Sequence, residues 1–148
     1  MNLLFMKLKI LLVFIVMCLS SCADDDARQN NPNLLNVQFS IDLNLSFPQY
    51  SQLNFSGNAI YVFGPDLGND GIIVVNTGSG FVAWDASDPN LIPANCTRLV
   101  ISGLTASNTC PSPNSYSLVT GQPLEDGLRY SLLNYRVSEG SGSIRVFN

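Results

Sequence analysis

The chain has 148 residues, of which 46% are apolar, only 12% are charged and none is histidine. This length corresponds to one domain. The absence of histidine excludes Ser-His-Asp and Cys-His catalysis, His-ligated zinc or haem, and a histidine proton switch.

The N-terminal segment has the pattern of a targeting signal. Lys7 and Lys9 precede an apolar run over residues 10–19, which is too short for a membrane span and suits the core of a signal peptide. The run ends in Leu19-Ser20-Ser21-Cys22, which resembles a bacterial lipobox. We therefore predict a lipoprotein signal peptide over 1–21, lipidation of Cys22, and a membrane contact through that lipid. The alternative is an ordinary secretory signal followed by an incidental cysteine.

Polar residues follow the predicted lipid-bearing cysteine. Residues 22–36 include three consecutive aspartates, 24–26, and show no apolar periodicity, which predicts a flexible acidic and polar tether. The acidic run resembles the surface-export signal of Bacteroidetes lipoproteins, which implies a lipid-anchored protein of the outer membrane, exposed at the cell surface. A solvated spacer is the alternative reading.

The predicted mature chain is acidic. Removal of residues 1–21 removes both lysines and leaves five arginines against eleven carboxylates, a net charge of −6. Such a surface lacks the cations that bind nucleic-acid phosphates or anionic lipid headgroups. We therefore expect no nucleic-acid partner.

Residues 37–148 have the patterning of an all-β domain. Apolar and polar residues alternate without a break over 37–45, as in a strand with one buried face. Further short strands are predicted over 59–63, 71–75, 81–85, 98–101, 116–118, 132–137 and 143–147. Glycine-rich turns separate several of these runs, and residues 48–53 form at most one turn of helix. We predict an antiparallel sandwich or small barrel.

Cys96 and Cys110 are the only thiols left once residues 1–21 are removed and Cys22 is lipidated. In an exported protein this favours a structural disulfide, which would contribute roughly 3 kcal/mol by closing a loop of about fifteen residues. A metal site or one reactive thiol is the alternative, although no histidine is present to complete either arrangement.

Three stretches around these cysteines resemble the Rieske ferredoxin domain: 71–75 (GIIVV), 81–90 (FVAWDASDPN) and 109–124 (TCPSPNSYSLVTGQPL). The closing segments 132–137 and 143–146 are similar to the last hairpin of that family. The resemblance covers about residues 60–148, and more loosely the chain from residue 37. It implies a Rieske-like β domain over 37–148 with a loop-built, cluster-binding-like subdomain over 84–118.

The resemblance also implies where cluster ligands would stand. The family holds a 2Fe-2S cluster with two cysteines and two histidines, and these positions fall on Asp88, Asn90, Cys110 and Pro113. Three of the four ligands are therefore lost, and we expect no 2Fe-2S cluster and no other cofactor. Asp85 and Asp88 are expected to be exposed, solvated loop residues, with residual metal binding alongside Cys110 as the alternative.

Two functional hypotheses remain. The first is a non-catalytic, monomeric module that binds an envelope protein or a glycan, which predicts an exposed apolar or aromatic patch near Trp84 and Tyr116. The packing of Trp84 against the loops is the simpler expectation for that side chain. The second hypothesis is a redox protein, either a degenerate Rieske subunit or a thiol-disulfide couple. Hydrolysis by paired carboxylates ranks third because no pattern places two of them across a cleft, and we expect no enzyme activity.

Overall fold

The computed structural model describes residues 31–148, which form antiparallel β-sheets without an α-helix. The strands are β1 (Ser40–Asn44), β2 (Ala59–Val62), β3 (Ile72–Asn76), β4 (Phe81–Asp85), β5 (Val100–Ser102), β6 (Thr105–Ser107), β7 (Ser115–Ser117), β8 (Asn134–Gly140) and β9 (Ser143–Phe147), with a 3-10 helix at Ser51–Asn54. The all-β prediction is confirmed. Within residues 31–148, no helix is long and apolar enough to span a membrane.

Six strands form one curved sheet in the order β1-β9-β8-β4-β3-β2. All of its pairings are antiparallel, and β8 pairs with β4 near its start and with β9 beyond it. The sheet forms a half-barrel, consistent with the Rieske-like fold expected from the sequence. Its concave side holds one core cluster, to which β1 contributes Leu43 and β9 contributes Ile144 and Val146.

Strand β3 is buried on both faces, which explains its unbroken apolar run. Ile72 and Val74 belong to the core cluster of the half-barrel, whereas Ile73 and Val75 belong to a second cluster. The second cluster joins the half-barrel to a smaller sheet with the order β5-β6-β7. This smaller sheet and its loops form the subdomain predicted from the sequence.

The strand boundaries differ from the predictions in ways that local chemistry explains. The predicted strands 81–85 and 143–147 match β4 and β9, and the other predicted strands are displaced by up to three residues. Strand β6 was not predicted, because its sequence Thr105-Ala106-Ser107 carries a single small apolar residue. That residue, Ala106, is fully buried in the second cluster.

The end of the predicted tether lies on the domain. The side-chain amides of Asn31 and Asn33 both donate to the Pro89 carbonyl at 2.9 Å, and the Leu35 N–H donates to Asn69 Oδ1 at 2.7 Å. For residues 31–36 the prediction of a flexible tether is therefore wrong, because asparagine side chains in this segment find backbone partners. The signal peptide, Cys22 and residues 22–30 lie outside the described residues.

Candidate functional site

Asp88 is the centre of a hydrogen-bond network that joins two loops. We call residues 86–99, between β4 and β5, the first loop, and residues 108–114, between β6 and β7, the second loop. Asp88 is fully buried, and its Oδ2 accepts from the side-chain amides of Asn108 at 2.5 Å and Asn114 at 2.9 Å. Its Oδ1 accepts from the Tyr116 hydroxyl at 2.6 Å and from the Asn90 N–H at 2.8 Å. Four donors thus match the acceptor capacity of a carboxylate.

This burial corrects the expectation that Asp88 is a solvated loop residue. A carboxyl group leaves water only where protein donors replace its hydration. Here those donors come from the first loop itself, from the second loop and from β7. Asp88 therefore organises the end of the subdomain at a position where the family resemblance places a cluster ligand.

A disulfide joins the same two loops. Cys96 of the first loop is bonded to Cys110 of the second, with their Cα atoms 4.9 Å apart. The Thr109 N–H donates to the Cys96 carbonyl at 2.9 Å, and the Cys110 N–H donates to Asn108 Oδ1 at 3.0 Å. The predicted disulfide is thus present, and Asn108 connects it directly to the Asp88 network.

The Asn90 side chain ties a third segment to this network. Its amide nitrogen donates to the Tyr116 hydroxyl at 2.9 Å and to the Tyr130 carbonyl at 2.7 Å. Its Oδ1 accepts from the backbone N–H groups of Arg129 at 3.0 Å and Tyr130 at 2.9 Å. All four bonds that a primary amide can form are made within the protein.

The four positions that would hold a 2Fe-2S cluster do not fit one. The side-chain polar atoms of Asp88 and Asn90 are all hydrogen-bonded within the protein, and the Cys110 sulfur is bonded to Cys96. Pro113 is exposed in the second loop and has no side-chain donor atom. A Rieske cluster needs two thiolates and two imidazoles, so this donor set supplies none of the required ligands without breaking the disulfide.

Asp85, the last residue of β4, forms a second buried centre. Its Oδ2 accepts from the Tyr135 hydroxyl at 2.6 Å and from both the backbone and the side-chain N–H of Asn69, each at 2.8 Å. Its Oδ1 accepts from the Ser87 N–H at 2.8 Å. Asp85 is thus also buried rather than solvated. Its bonding partners hold the β2–β3 loop against the start of the first loop.

The expected alternative of a shared metal site on Asp85, Asp88 and Cys110 is not supported by this geometry. Each carboxylate is enclosed by its own set of donors, and Cys110 is in the disulfide. Among residues 31–148, no three His, Cys, Asp or Glu side chains form a group that could hold a metal ion.

Two tyrosines are held in their neutral form by these centres. Burial raises the pKa of Tyr116 well above its ordinary value, and the hydrogen bond to Asp88 raises it further. Burial also raises the pKa of Tyr135, and the charge of Asp85 adds to that shift. Each hydroxyl therefore acts as a hydrogen-bond donor to a buried carboxylate across the neutral pH range.

Trp84 and Tyr116 are themselves buried, so any exposed apolar or aromatic patch near them is formed by other side chains, such as Val119, which is 42% exposed. Trp84 is only 6% exposed, and its indole N–H donates to the Leu118 carbonyl at 2.8 Å. A Cβ on Gly121 would lie 2.6 Å from the Trp84 ring, so only glycine permits this contact. Tyr116 is fully buried. The simpler expectation, that Trp84 packs against the loops, is confirmed.

Known proteins resemble this chain in structure but not in sequence. No protein-family model and no curated protein sequence matches the chain. One similar solved structure is a chain of the complex of reduced oxygenase and oxidized ferredoxin in carbazole 1,9a-dioxygenase. The two sequences are 14% identical, and the TM-score is 0.48. The match covers 76% of this chain and 94% of that chain.

A second similar structure is described as the small subunit of a NADPH nitrite reductase. Its identity is 20%, the match covers 64% of this chain and 92% of that chain, and the TM-score is 0.39.

Proposed function

We propose that the chain is a lipid-anchored, non-catalytic binding or structural module of the bacterial cell envelope, built on a Rieske-like scaffold that carries no cluster. The observation that carries the proposal is the enclosure of Asp88. Its four donors use the first loop, the second loop and β7 for protein–protein hydrogen bonds. The space around this residue is organised for rigidity rather than for a reacting group.

The disulfide supports the same proposal. It links the first and second loops through Cys96 and Cys110 next to Asn108, which is itself bonded to Asp88. Covalent and hydrogen-bonded restraints therefore act on the same pair of loops. A pre-organised loop surface loses little conformational entropy when a partner binds, which suits a binding module.

The N-terminal sequence supports the envelope location. The segment 31–35 is fixed to Pro89 of the first loop and to Asn69. A lipid on Cys22 would be about nine residues away, a reach of at most roughly 30 Å for an extended chain. In this proposal the anchor holds the loop end of the domain close to the membrane, where envelope partners are concentrated.

The second candidate is a thiol-disulfide protein, favoured by the incomplete burial of Cys96 and Cys110. Exposed disulfides are open to attack by thiolates, whereas a structural bond resists reduction and has a potential below about −300 mV. The reduction potential of this one bond separates the two candidates.

The test uses the full chain, expressed in a bacterium under anaerobic, iron-replete conditions and extracted with detergent. We expect palmitate incorporation that is lost in Cys22→Ala, no visible charge-transfer bands, no stoichiometric iron and no titratable thiol after denaturation. Two irons per chain with such bands would overturn the proposal. A disulfide potential well above −300 mV would replace it with the thiol-disulfide candidate.

A further inference from the structure

A polar groove lies beside the first loop, away from the buried Asp88 network. Its volume is about 360 Å³, and its lining includes Asp70, Ser87, Asn95 and Arg98. A second recess of about 250 Å³ is lined by Phe63 and again by Asp70 and Arg98. The two recesses therefore adjoin at the Asp70–Arg98 pair, which we call the central pair.

The central pair offers both hydrogen-bond donors and acceptors without a net charge. Arg98 Nη2 lies 2.6 Å from Asp70 Oδ1, and the two side chains are 51% and 28% exposed. This bond leaves Asp70 Oδ2 as an acceptor and further guanidinium N–H groups as donors. Asn95, which is also exposed on the lining, adds an amide with both properties.

An exposed aromatic ring lines the second recess. Phe63 is 59% exposed, although it stacks on Tyr61 with ring centroids 5.3 Å apart. The Arg98 guanidinium lies 5.5 Å from the centre of the Phe63 ring. An apolar surface and a set of polar groups are thus held next to each other by one arginine.

The lining also contains an unpaired hydroxyl. Ser87 is 1% exposed, and its Oγ has no hydrogen-bond partner among the described residues. Buried polar groups are almost always paired, so such an exception calls for a partner that residues 31–148 do not supply.

We propose that this groove and the adjoining second recess together bind a neutral saccharide. Sugar hydroxyls both donate and accept, so vicinal hydroxyls can bridge a carboxylate, a guanidinium and an amide without a charge of their own. The apolar face of a sugar ring can pack on Phe63. The net charge of −6 on the predicted mature chain disfavours acidic sugars. This inference rests on the proposed function as a binding module and gives that module a ligand class.

The test titrates the detergent-extracted full chain with neutral hexasaccharides of glucose, mannose and xylose, and with polygalacturonate as the acidic probe. The two site variants are Asp70→Asn and Arg98→Gln. Asp42 and Arg145 form a similar exposed ion pair on β1 and β9, at 2.7 Å. Asp42→Asn and Arg145→Gln are therefore matched controls.

We expect calorimetric binding of at least one neutral hexasaccharide, about tenfold weaker in either site variant and changed less than twofold in either control. Phe63→Ala is expected to weaken binding as well, whereas Phe55→Ala, at a residue that is 67% exposed, is not.

Three results would overturn the inference. The first is that no saccharide binds, and the second is that only polygalacturonate binds. The third is that Asp70→Asn and Arg98→Gln leave the affinity for a neutral saccharide unchanged. Tighter binding of short peptides at the central pair would reassign the groove to a peptide. Iron, thiol and palmitate measurements on the same preparation report on the proposed function separately, so an iron-free, lipidated protein that binds no sugar refutes only the ligand class.

Discussion

Replacing Asp88 by asparagine tests whether the buried carboxylate holds the two loops together. The new amide keeps the shape of the side chain but turns one acceptor oxygen into a donor NH2 group. In one orientation this NH2 meets the amide donors of Asn108 and Asn114. In the other, the Asn90 N–H loses its acceptor, and the Tyr116 hydroxyl can only accept from the new NH2 group, which leaves its own proton without the Asp88 acceptor. Either orientation disrupts two of the four hydrogen bonds.

Asp85→Asn is the matched control, because it makes the same substitution at a carboxylate whose hydrogen-bond donors are divided unequally between its two oxygens. Three donors converge on Asp85 Oδ2, and only the Ser87 N–H reaches Oδ1. The amide can keep its oxygen at the Oδ2 position and lose one bond. Hydrogen bonds to charged groups contribute about 1.5–3 kcal/mol each. We therefore expect a loss of about 3–6 kcal/mol for Asp88→Asn and about 1.5–3 kcal/mol for Asp85→Asn.

The assay is urea unfolding under non-reducing conditions, followed by the fluorescence of Trp84, the single tryptophan. With a slope of about 1–3 kcal/mol per molar urea for a domain of this size, the two variants should differ in midpoint by about 1 M. An Asp85→Asn protein as unstable as Asp88→Asn, or more so, would refute the hydrogen-bond count on which the argument rests.

Gly121→Ala should destabilise the domain by about 1–3 kcal/mol more than Gly127→Ala. Both glycines have positive φ, 73° and 89°, but only at Gly121 would a Cβ lie 2.6 Å from the Trp84 ring, so equal losses in thermal unfolding would contradict that contact. The raised pKa values of Tyr116 and Tyr135 predict a loss of stability in alkali. That stability is fully present below pH 10, where the unfolded tyrosines are still neutral, and it falls above pH 10 by about 1.4 kcal/mol per pH unit for each tyrosine. A urea midpoint that stays constant from pH 9 to pH 12 would contradict this linkage.

Most strands were predictable because the spacing of their apolar residues indicates which side chains are buried. The alternation over 37–45 places Leu43 in the core and Asp42 in solvent, as β1 shows. Strand β6 was not predictable in the same way. Its side chains are small and mostly polar, and its position follows from pairing with β5 and β7 rather than from its own sequence.

The buried carboxylates were mispredicted because their partners are distant in sequence. Asp88 looks like a turn residue beside Pro89, and nothing local distinguishes a solvated aspartate from an enclosed one. Its donors Asn108 and Asn114 lie 20 and 26 residues away. The disulfide was predicted more easily, because only two cysteines remained to be paired.

The two buried carboxylates and the disulfide each fix different segments around the first and second loops. Asp85 holds the β2–β3 loop through Asn69, and Asn69 in turn holds Leu35 of the N-terminal segment. Asp88 and the disulfide hold the first loop to the second. The Asp70–Arg98 pair joins the β2–β3 loop to the first loop across the groove. The groove is therefore bounded by backbone segments that are each fixed by buried contacts, and its Asp70 and Arg98 side chains hold each other. A ligand would therefore order few further groups, at a small cost in conformational entropy.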